Sequence, residues 1–333
     1  MSNVPGGASV DVITANGLNV AGSGAVAQRL LKSNFNVESL RTQDVLQNRE
    51  WIQFDNKVVE VARKRLIAVG DLVSAGLTYD VPNALGVTKL EWERSTDLTD
   101  AIVSMSGITA GQADRIEFDL QSIPLPIVHK DFHINIRALE SSRRQGLPLD
   151  TMQAELAARI VSERIETMLF NGSNVAGTSN KIFGYTTQTN RNTGSVTASW
   201  LTATGEQILT DALAMVDKLV ADNMYGPYVL YVPNAVYVKL GADFKANSDK
   251  SVLTRLKEIP GLINIRPAPD LTGTVVVMVQ LSSDVVDMID GIQPTLVQWE
   301  SQGGMMINFK VIAIMVPRVK ADKASQSGIA HYS

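Results

Sequence analysis

The stretch from Ile123 to Thr187 constrains the fold more than any other part of the chain, because it joins an extended strand to one long helix. In the strand, Val128, Phe132, Ile134 and Ile136 fall on one face, with Lys130 as the polar exception. The opposite face carries His129, Asp131, His133, Asn135 and Arg137. A period of two with one apolar and one polar face predicts a half-buried strand.

A long helix is predicted over residues 147–172, where Thr151 or Asp150 is the expected cap and Asn171-Gly172 the expected end. About 20 residues form a rod of roughly 30 Å. The expected core-facing stripe is Met152, Leu156, Ile160, Ile165, Met168 and Leu169. The expected solvated side is Glu155, Arg159, Glu163, Arg164 and Glu166. Such a rod suits a structural component better than an enzyme.

The amino-acid composition of the chain limits the classes of function that it can have. The chain has 333 residues, of which 45% are hydrophobic, so it can bury a sizeable core. It contains no cysteine, which excludes disulfides and thiolate metal sites. The net charge of −4 does not favour a nucleic-acid-coating surface, which needs clustered Lys and Arg. We find no signal-peptide pattern and no apolar run long enough for a bilayer, so no membrane partner is expected.

The N-terminal quarter has two expected parts. Residues 1–24 are rich in Gly, Ser and Asn, which predicts an extended or disordered arm, and a short helix is expected at 25–32. Residues 39–77 predict two short helices joined near Asn48 to Glu50. The cluster Arg63-Lys64-Arg65 on the second helix is interpreted as a solvated face. Contact with an acidic neighbour or packaged nucleic acid is the alternative.

The remaining segments alternate between strands, turns and helices. Residues 78–122 predict a hairpin that is polar on both faces and needs another surface, such as a neighbouring copy, to lie on. Residues 174–200 predict a polar loop, and residues 204–293 a compact unit of alternating strands and helices. Residues 294–320 predict one hairpin turning at Gln302-Gly303-Gly304, and residues 321–333 a loose, flexible tail.

Candidate chemical sites were weighed and set aside. His129, Asp131 and His133 resemble a metal cluster, but neighbours in this set lie about 6.6–7 Å apart along one strand face, too far for one zinc ion. Neither a nucleophile elbow nor a phosphate-binding loop motif occurs. The sequence therefore predicts no catalytic, cofactor-binding or metal site and no cofactor.

Several strings in one order resemble the major capsid protein of tailed bacteriophages, whose fold is shared with encapsulins and the herpesvirus capsid floor. They are IPLP at 123–126, DFHINIRALE at 131–140, GLPLD at 146–150, AARIVSERIETMLFNG at 157–172, YGPYVLYVP at 225–233, INIRPAPDL at 263–271 and FKVIAIMVPR at 309–318. The resemblance spans roughly residues 120–320, and none of these strings is a catalytic signature.

This resemblance implies an α+β fold with named parts. Residues 1–77 would form the N-terminal arm and its helices, and 78–122 the extended loop. Residues 123–203 and 294–320 would form the peripheral domain with its spine helix at 147–172. Residues 204–293 would form the axial domain, ahead of the tail at 321–333. Some relatives crosslink neighbours through a lysine, and Lys89 is the candidate donor, although an exposed loop lysine is the simpler interpretation.

The function implied is that of a non-enzymatic shell subunit. It would assemble with itself through hexamers and pentamers into an icosahedral capsid around double-stranded DNA, contacted non-specifically on the inner face. Scaffolding, portal and decoration proteins are further candidate partners, and the expected location is the virion, assembled in the host cytoplasm. An encapsulin shell around cargo enzymes is the alternative, which the long arm disfavours. A soluble α/β enzyme is a third, weakened by the lack of motifs.

Overall fold

The computed structural model describes residues 48–95, 105, 118–145, 151–175, 181–245, 249–303, 305–321 and 326–333. The predicted arm at 1–24 and helix at 25–32 lie outside these residues. The helices are α1 Asn48–Arg65, α2 Ala68–Ser74, α3 Ile136–Gln145, α4 Met152–Asn171, α5 Gly205–Ala221, α6 Asn234–Lys239 and α7 Val252–Lys257. The strands are β1 Thr78–Asp80, β2 Lys89–Ser95, β3 Phe118–Pro124, β4 Val128–Asn135, β5 Ser173–Asn174, β6 Lys181–Ile182, β7 Asn192–Gly194, β8 Tyr228–Val232, β9 Leu262–Pro267, β10 Val276–Gln280, β11 Val286–Ser301, β12 Met306–Val319 and β13 Ile329–Tyr332.

A four-stranded sheet of order β1-β11-β12-β4 carries the predicted strand and the predicted late hairpin. β4 pairs antiparallel with β12, from Val128 opposite Ala313 to Asn135 opposite Met306. The turn between β11 and β12 places Gln302 and Gly303 at φ values of 54° and 65°. Two successive positive values are typical of the tight turns that match strand twist. Both strand predictions are therefore confirmed.

A five-stranded sheet of order β7-β13-β10-β8-β9 forms the second layer. Its central strands are buried throughout, because α5, α6 and α7 cover one face and the rest of the chain covers the other. Val277 and Val279 of β10 belong to the first core, whereas Val276 and Met278 belong to the second. A sheet covered on both faces gives apolar runs in place of alternation.

The prediction of a loose tail at 321–333 is wrong for its last residues. Ile329–Tyr332 form β13, which pairs antiparallel with β10 and parallel with β7. Ile329 and Ala330 are fully buried. The Ser327 backbone N–H donates to Asp222 Oδ2 at 3.0 Å, which fixes the approach to the strand. Its partner strands are distant in sequence, so no local pattern marks this short segment as central.

Two predicted boundaries shift. Asn48 to Glu50, where the joint was predicted, already belong to α1, and the predicted helix ahead of them lies outside the described residues. The described break falls at Leu66 and Ile67, so Arg63-Lys64-Arg65 end α1. The unit predicted at 204–293 ends earlier, because β11 already begins at Val286 in the other sheet. A further helix, α3, directly follows β4.

The long helix is confirmed over Met152–Asn171, although residues 147–150 lie outside the described part of the chain. Its buried face differs from the expected stripe. Met152, Leu156 and Ile160 are exposed, whereas the alanines Ala154, Ala157 and Ala158 are buried. α1, β4 and β12 pack against this helix, and small side chains allow such close approach. Glu166, expected on the solvated side, is also buried.

Candidate assembly surface

The β2–β3 hairpin forms a two-stranded sheet separate from the two larger sheets. Its strands pair antiparallel, with Leu90 opposite Ile123 and Trp92 opposite Gln121. Arg94 Nη2 lies 3.0 Å from Asp119 Oδ2 across the strands. Leu90, Trp92 and Arg94 alternate with exposed residues, so the hairpin has an inner and an outer face. Between the two strands the structure describes only Met105, which is fully exposed.

The inner face packs on the chain itself. Leu90 and Trp92 lie against a core cluster that includes Val81, Ile123 and Ile314. The expectation that both faces are polar is therefore wrong for this face. The alternating Leu90 and Trp92 anchor the base of the hairpin to its own four-stranded sheet.

The buried guanidinium of Arg318 contacts the residues at the base of the hairpin. Arg318 on β12 donates from Nε to Asp287 Oδ1 at 2.8 Å and from Nη2 to Oδ2 of the same carboxylate. Its guanidinium lies 4.9 Å from the Tyr79 ring centre and 5.4 Å from the Trp92 ring centre. Lys320 adds a second cation 2.8 Å from Asp287. β1, the hairpin and the β11–β12 pair therefore meet at one paired and stacked arginine.

The outer face of the hairpin, formed by Glu91, Glu93, Phe118 and Leu120, is exposed in the described part of the chain. Phe118 is 66% exposed and Leu120 is 61% exposed. Leu120 lies directly opposite Glu93 in the strand register. Adjacent exposed apolar side chains on a projecting two-stranded ribbon are typical of a protein–protein contact.

Two other exposed apolar groups lie elsewhere. Met152, Leu156 and Ile160 line one side of the first half of α4. Tyr225, Val238 and Ile263 are exposed on the five-stranded unit. Exposed apolar side chains therefore occur on α4 and on the five-stranded unit as well as on the hairpin.

The residues weighed as a metal cluster lie on an edge strand. His129, Asp131 and His133 are all exposed on β4, and Asp131 Oδ2 lies 3.5 Å from Lys310 Nζ. Within the described residues, no three His, Cys, Asp or Glu side chains converge as metal ligands would. Lys89 begins β2, half-exposed, with Nζ 4.0 Å from Glu91 Oε1. In the same part of the chain, no helix has the length and apolarity needed to cross a membrane.

Sequence reasoning missed the Arg318 cluster, although a signal for it exists. Asp287 and Arg318 are charged residues whose neighbours on both sides along the strand are buried. Buried charges are stable only when paired. This signal alone would not have paired them, because Asp287 falls in the unit predicted at 204–293 and Arg318 in the hairpin predicted at 294–320.

The fold has clear relatives among solved structures. The virus-like particle from Pyrococcus furiosus is 17% identical, with a TM-score of 0.60 that covers 84% of this chain and 98% of that one. The capsid of Myoviridae phage XM1 is 13% identical, with a TM-score of 0.59 over 78% of this chain and 90% of that one. The capsid of an empty GTA particle is 13% identical, with a TM-score of 0.56 over 78% and 88%. The expected α+β capsid-protein fold is therefore confirmed.

Sequence comparison adds a curated relative and a family. The type 1 encapsulin shell protein EncA of Myxococcus xanthus (strain DK1622) is 24% identical over 200 residues, which are 60% of this chain and 64% of that protein. The match thus spans just under two thirds of the relative. A family model described as a family of unknown function (DUF6260) matches residues 40–332. The chain therefore belongs to the DUF6260 family, and its fold is that of the phage capsid and virus-like particle proteins.

Proposed function

We propose that this chain is a shell-forming structural protein, not an enzyme, whose copies assemble through hexamers and pentamers into the capsid around the double-stranded DNA of a tailed phage. The observation that carries this proposal is the capsid-protein fold over most of the chain. The uncovered outer face of the hairpin supports it, because an exposed ribbon of this kind gains stability when a second copy buries it.

The parts take the roles that the resemblance implies, with adjusted boundaries. Residues 1–77 act as the arm and 78–122 as the extended loop. Residues 123–203 and 286–320 form the peripheral domain around α4. The five-stranded unit acts as the axial domain, and its sheet includes β13 from the C-terminal segment.

The outer face of the hairpin docks on a second copy of this chain. Its two apolar side chains are flanked by Glu91 and Glu93, so the complementary surface carries positive charge. Lys130 and Arg137 are exposed at the β4 edge and the start of α3 and supply such a surface. Complementary charges fix the register of an interface whose apolar part supplies the affinity.

Charge reversal tests this docking. We expect the double variant Glu91→Lys/Glu93→Lys to block assembly and Lys130→Glu/Arg137→Glu to restore it when both pairs are combined. A Glu155→Lys variant, which reverses a charge on α4 away from the hairpin, serves as the matched control and should still assemble. Assembly by the first variant alone would contradict the docking.

A nanocompartment shell around cargo protein is the second candidate. The match to EncA favours it, as does the match to the Pyrococcus particle, which covers 98% of that chain. The two candidates differ in their content. Particles co-produced with a phage packaging system should protect DNA from nuclease in the first case. In the second case they should contain only protein under the same conditions.

Sedimentation followed by negative-stain microscopy of the purified full chain tests the proposed function as a whole. Large closed particles are expected. A monodisperse monomer across a wide range of protein concentration and salt would overturn both shell functions.

A further inference from the structure

Glu166 is a buried carboxylate that joins two helices. It lies on α4 and is 2% exposed. Its Oε1 accepts the backbone N–H of Ala68 at 2.6 Å, and its Oε2 accepts that of Val69 at 3.4 Å. These are the first two N–H groups of α2, so the side chain connects α4 directly to the start of α2.

α2 is connected in turn to the five-stranded sheet. Asp71 on α2 accepts from Arg266 Nη2 of β9 at 3.0 Å and from Tyr231 Oη of β8 at 3.3 Å. Three apolar side chains of α2, those of Ala68, Val69 and Leu72, are fully buried. α2 therefore bridges α4 and the five-stranded sheet through one carboxylate on each side.

Other polar groups complete this Glu166 junction. Asp270, in the segment after β9, accepts from Thr167 Oγ1 of α4 at 2.5 Å. The Tyr185 hydroxyl is buried and has no hydrogen-bond partner among the described residues. Further out on α4, Glu163 Oε1 lies 3.6 Å from Arg65 Nη1 at the end of α1. The carboxylates around Glu166 thus come from α2 and from the segment after β9, and the guanidinium of Arg266 is engaged by Asp71.

Burial raises the pKa of Glu166 from 4.5 to about 7. The two backbone N–H groups act in the opposite direction, and the negative charges of Asp270 and Asp71 raise the pKa further. Burial also raises the pKa values of Tyr185 and Tyr231 well above 10, so these rings stay neutral. The pKa of Asp270 is raised as well, first by burial. Near neutral pH, Glu166 is therefore the group of this junction that changes charge.

We propose that the Glu166 junction is a proton-linked contact, which holds α2 tightly between α4 and the five-stranded sheet when Glu166 is protonated and more loosely when it is ionised. The device goes beyond shell formation, because it is a property of the single chain. It would let a change of pH alter how firmly the two sheets are joined.

The direction of the pH dependence follows from the difference between the pKa of Glu166 in the closed junction and its pKa in the opened junction. In an opened junction, water surrounds Glu166 and its pKa returns towards 4.5. The closed junction binds the proton more tightly, so its stability is fully present below pH 4.5 and is lost as pH rises through about 7. The opening constant should therefore rise about tenfold per pH unit in this window and level off above it.

Hydrogen exchange of the α2 amides in the full chain measures that opening constant, after correction for the intrinsic pH dependence of exchange. We expect a rise of about forty-fold between pH 5 and pH 7. Glu166→Gln, which stays neutral, should remove this slope and keep the low opening constant throughout. Glu155→Gln, three turns earlier on the same helix, should keep the wild-type profile. A wild-type opening constant that is flat with pH, or a slope that survives in Glu166→Gln, would overturn the proposal.

Asp270→Asn supplies a second test that does not depend on the folding of the Glu166 variant. The asparagine keeps an acceptor for Thr167 but removes the negative charge that raises the pKa of Glu166. The plateau should therefore begin at a lower pH than in the wild type. An unchanged profile would contradict the junction. Neither measurement requires shells, so a failure here leaves the proposed function untouched.

Discussion

The five-stranded unit and the β2–β3 hairpin differ in how their apolar faces are covered. The sheet of the first has helices on one face and the rest of the chain on the other, so its central strands are completely buried. The hairpin is anchored on one face by Leu90 and Trp92 and leaves Phe118 and Leu120 in water on the other. The sheet of one region is covered on both faces, whereas the hairpin is covered on one face and exposed on the other.

Because of this difference, substitutions in the two regions should affect different properties, the folding of one chain and the assembly of several chains. Residues of the five-stranded unit should affect the stability of the single chain. Residues on the outer face of the hairpin should affect contacts between chains and leave stability almost unchanged. The Arg318 cluster lies between these cases, because it is buried and yet fixes the base of the hairpin.

Deletion of residues 326–333 should have the largest effect on the five-stranded unit. It removes β13 from between β7 and β10 and exposes the fully buried β10. We expect the truncated chain to be insoluble or to lack cooperative thermal unfolding by calorimetry. A truncated chain that unfolds cooperatively at the wild-type temperature would show that this strand is dispensable, as a flexible tail would be.

Arg318→Met should destabilise the chain by about 3–5 kcal/mol, because it leaves the buried Asp287 without its bidentate partner. Urea unfolding of the unassembled chain measures the loss. The double variant Arg318→Met/Asp287→Leu is the control and should recover most of it, since no buried charge remains unpaired. A loss below about 1 kcal/mol in the single variant would mean that Lys320 alone compensates Asp287.

A matched pair of leucines compares the two regions directly. Leu230→Ala, at a fully buried position of β8, should cost about 2–5 kcal/mol of unfolding free energy. Leu120→Ala, on the outer face of the hairpin, should change it by less than about 0.5 kcal/mol. Equal losses in urea unfolding of the unassembled chain would show that the hairpin is part of the single-chain core.

The sequence predicted those elements whose signals are local. β4 has a period of two, and the β11–β12 turn has adjacent glycines, so both were identified from a few residues. β13 could not be, because Ile329–Tyr332 is a short segment whose place depends on β7 and β10 far away in sequence. The buried face of α4 was misjudged because large apolar residues were preferred over the alanines that let α1 pack closely.

The candidate assembly surface was predicted only in part, because local patterns predict the hairpin but not its contacts with distant segments. The hairpin and its need for another surface follow from its composition. Its inner anchor does not, because the Trp92 contact with Arg318 joins segments more than 200 residues apart. The position of Glu166 likewise depends on α2, which meets α4 only in the folded chain.

Negative-stain microscopy of the wild-type chain beside Phe118→Ser/Leu120→Ser, with subunit stability measured in parallel, tests most directly whether the hairpin builds a shell. We expect closed particles for the wild type. For the variant we expect only subunits or capsomers, with an unfolding free energy within about 0.5 kcal/mol of the wild-type value. Closed particles of normal size from the variant would contradict the account.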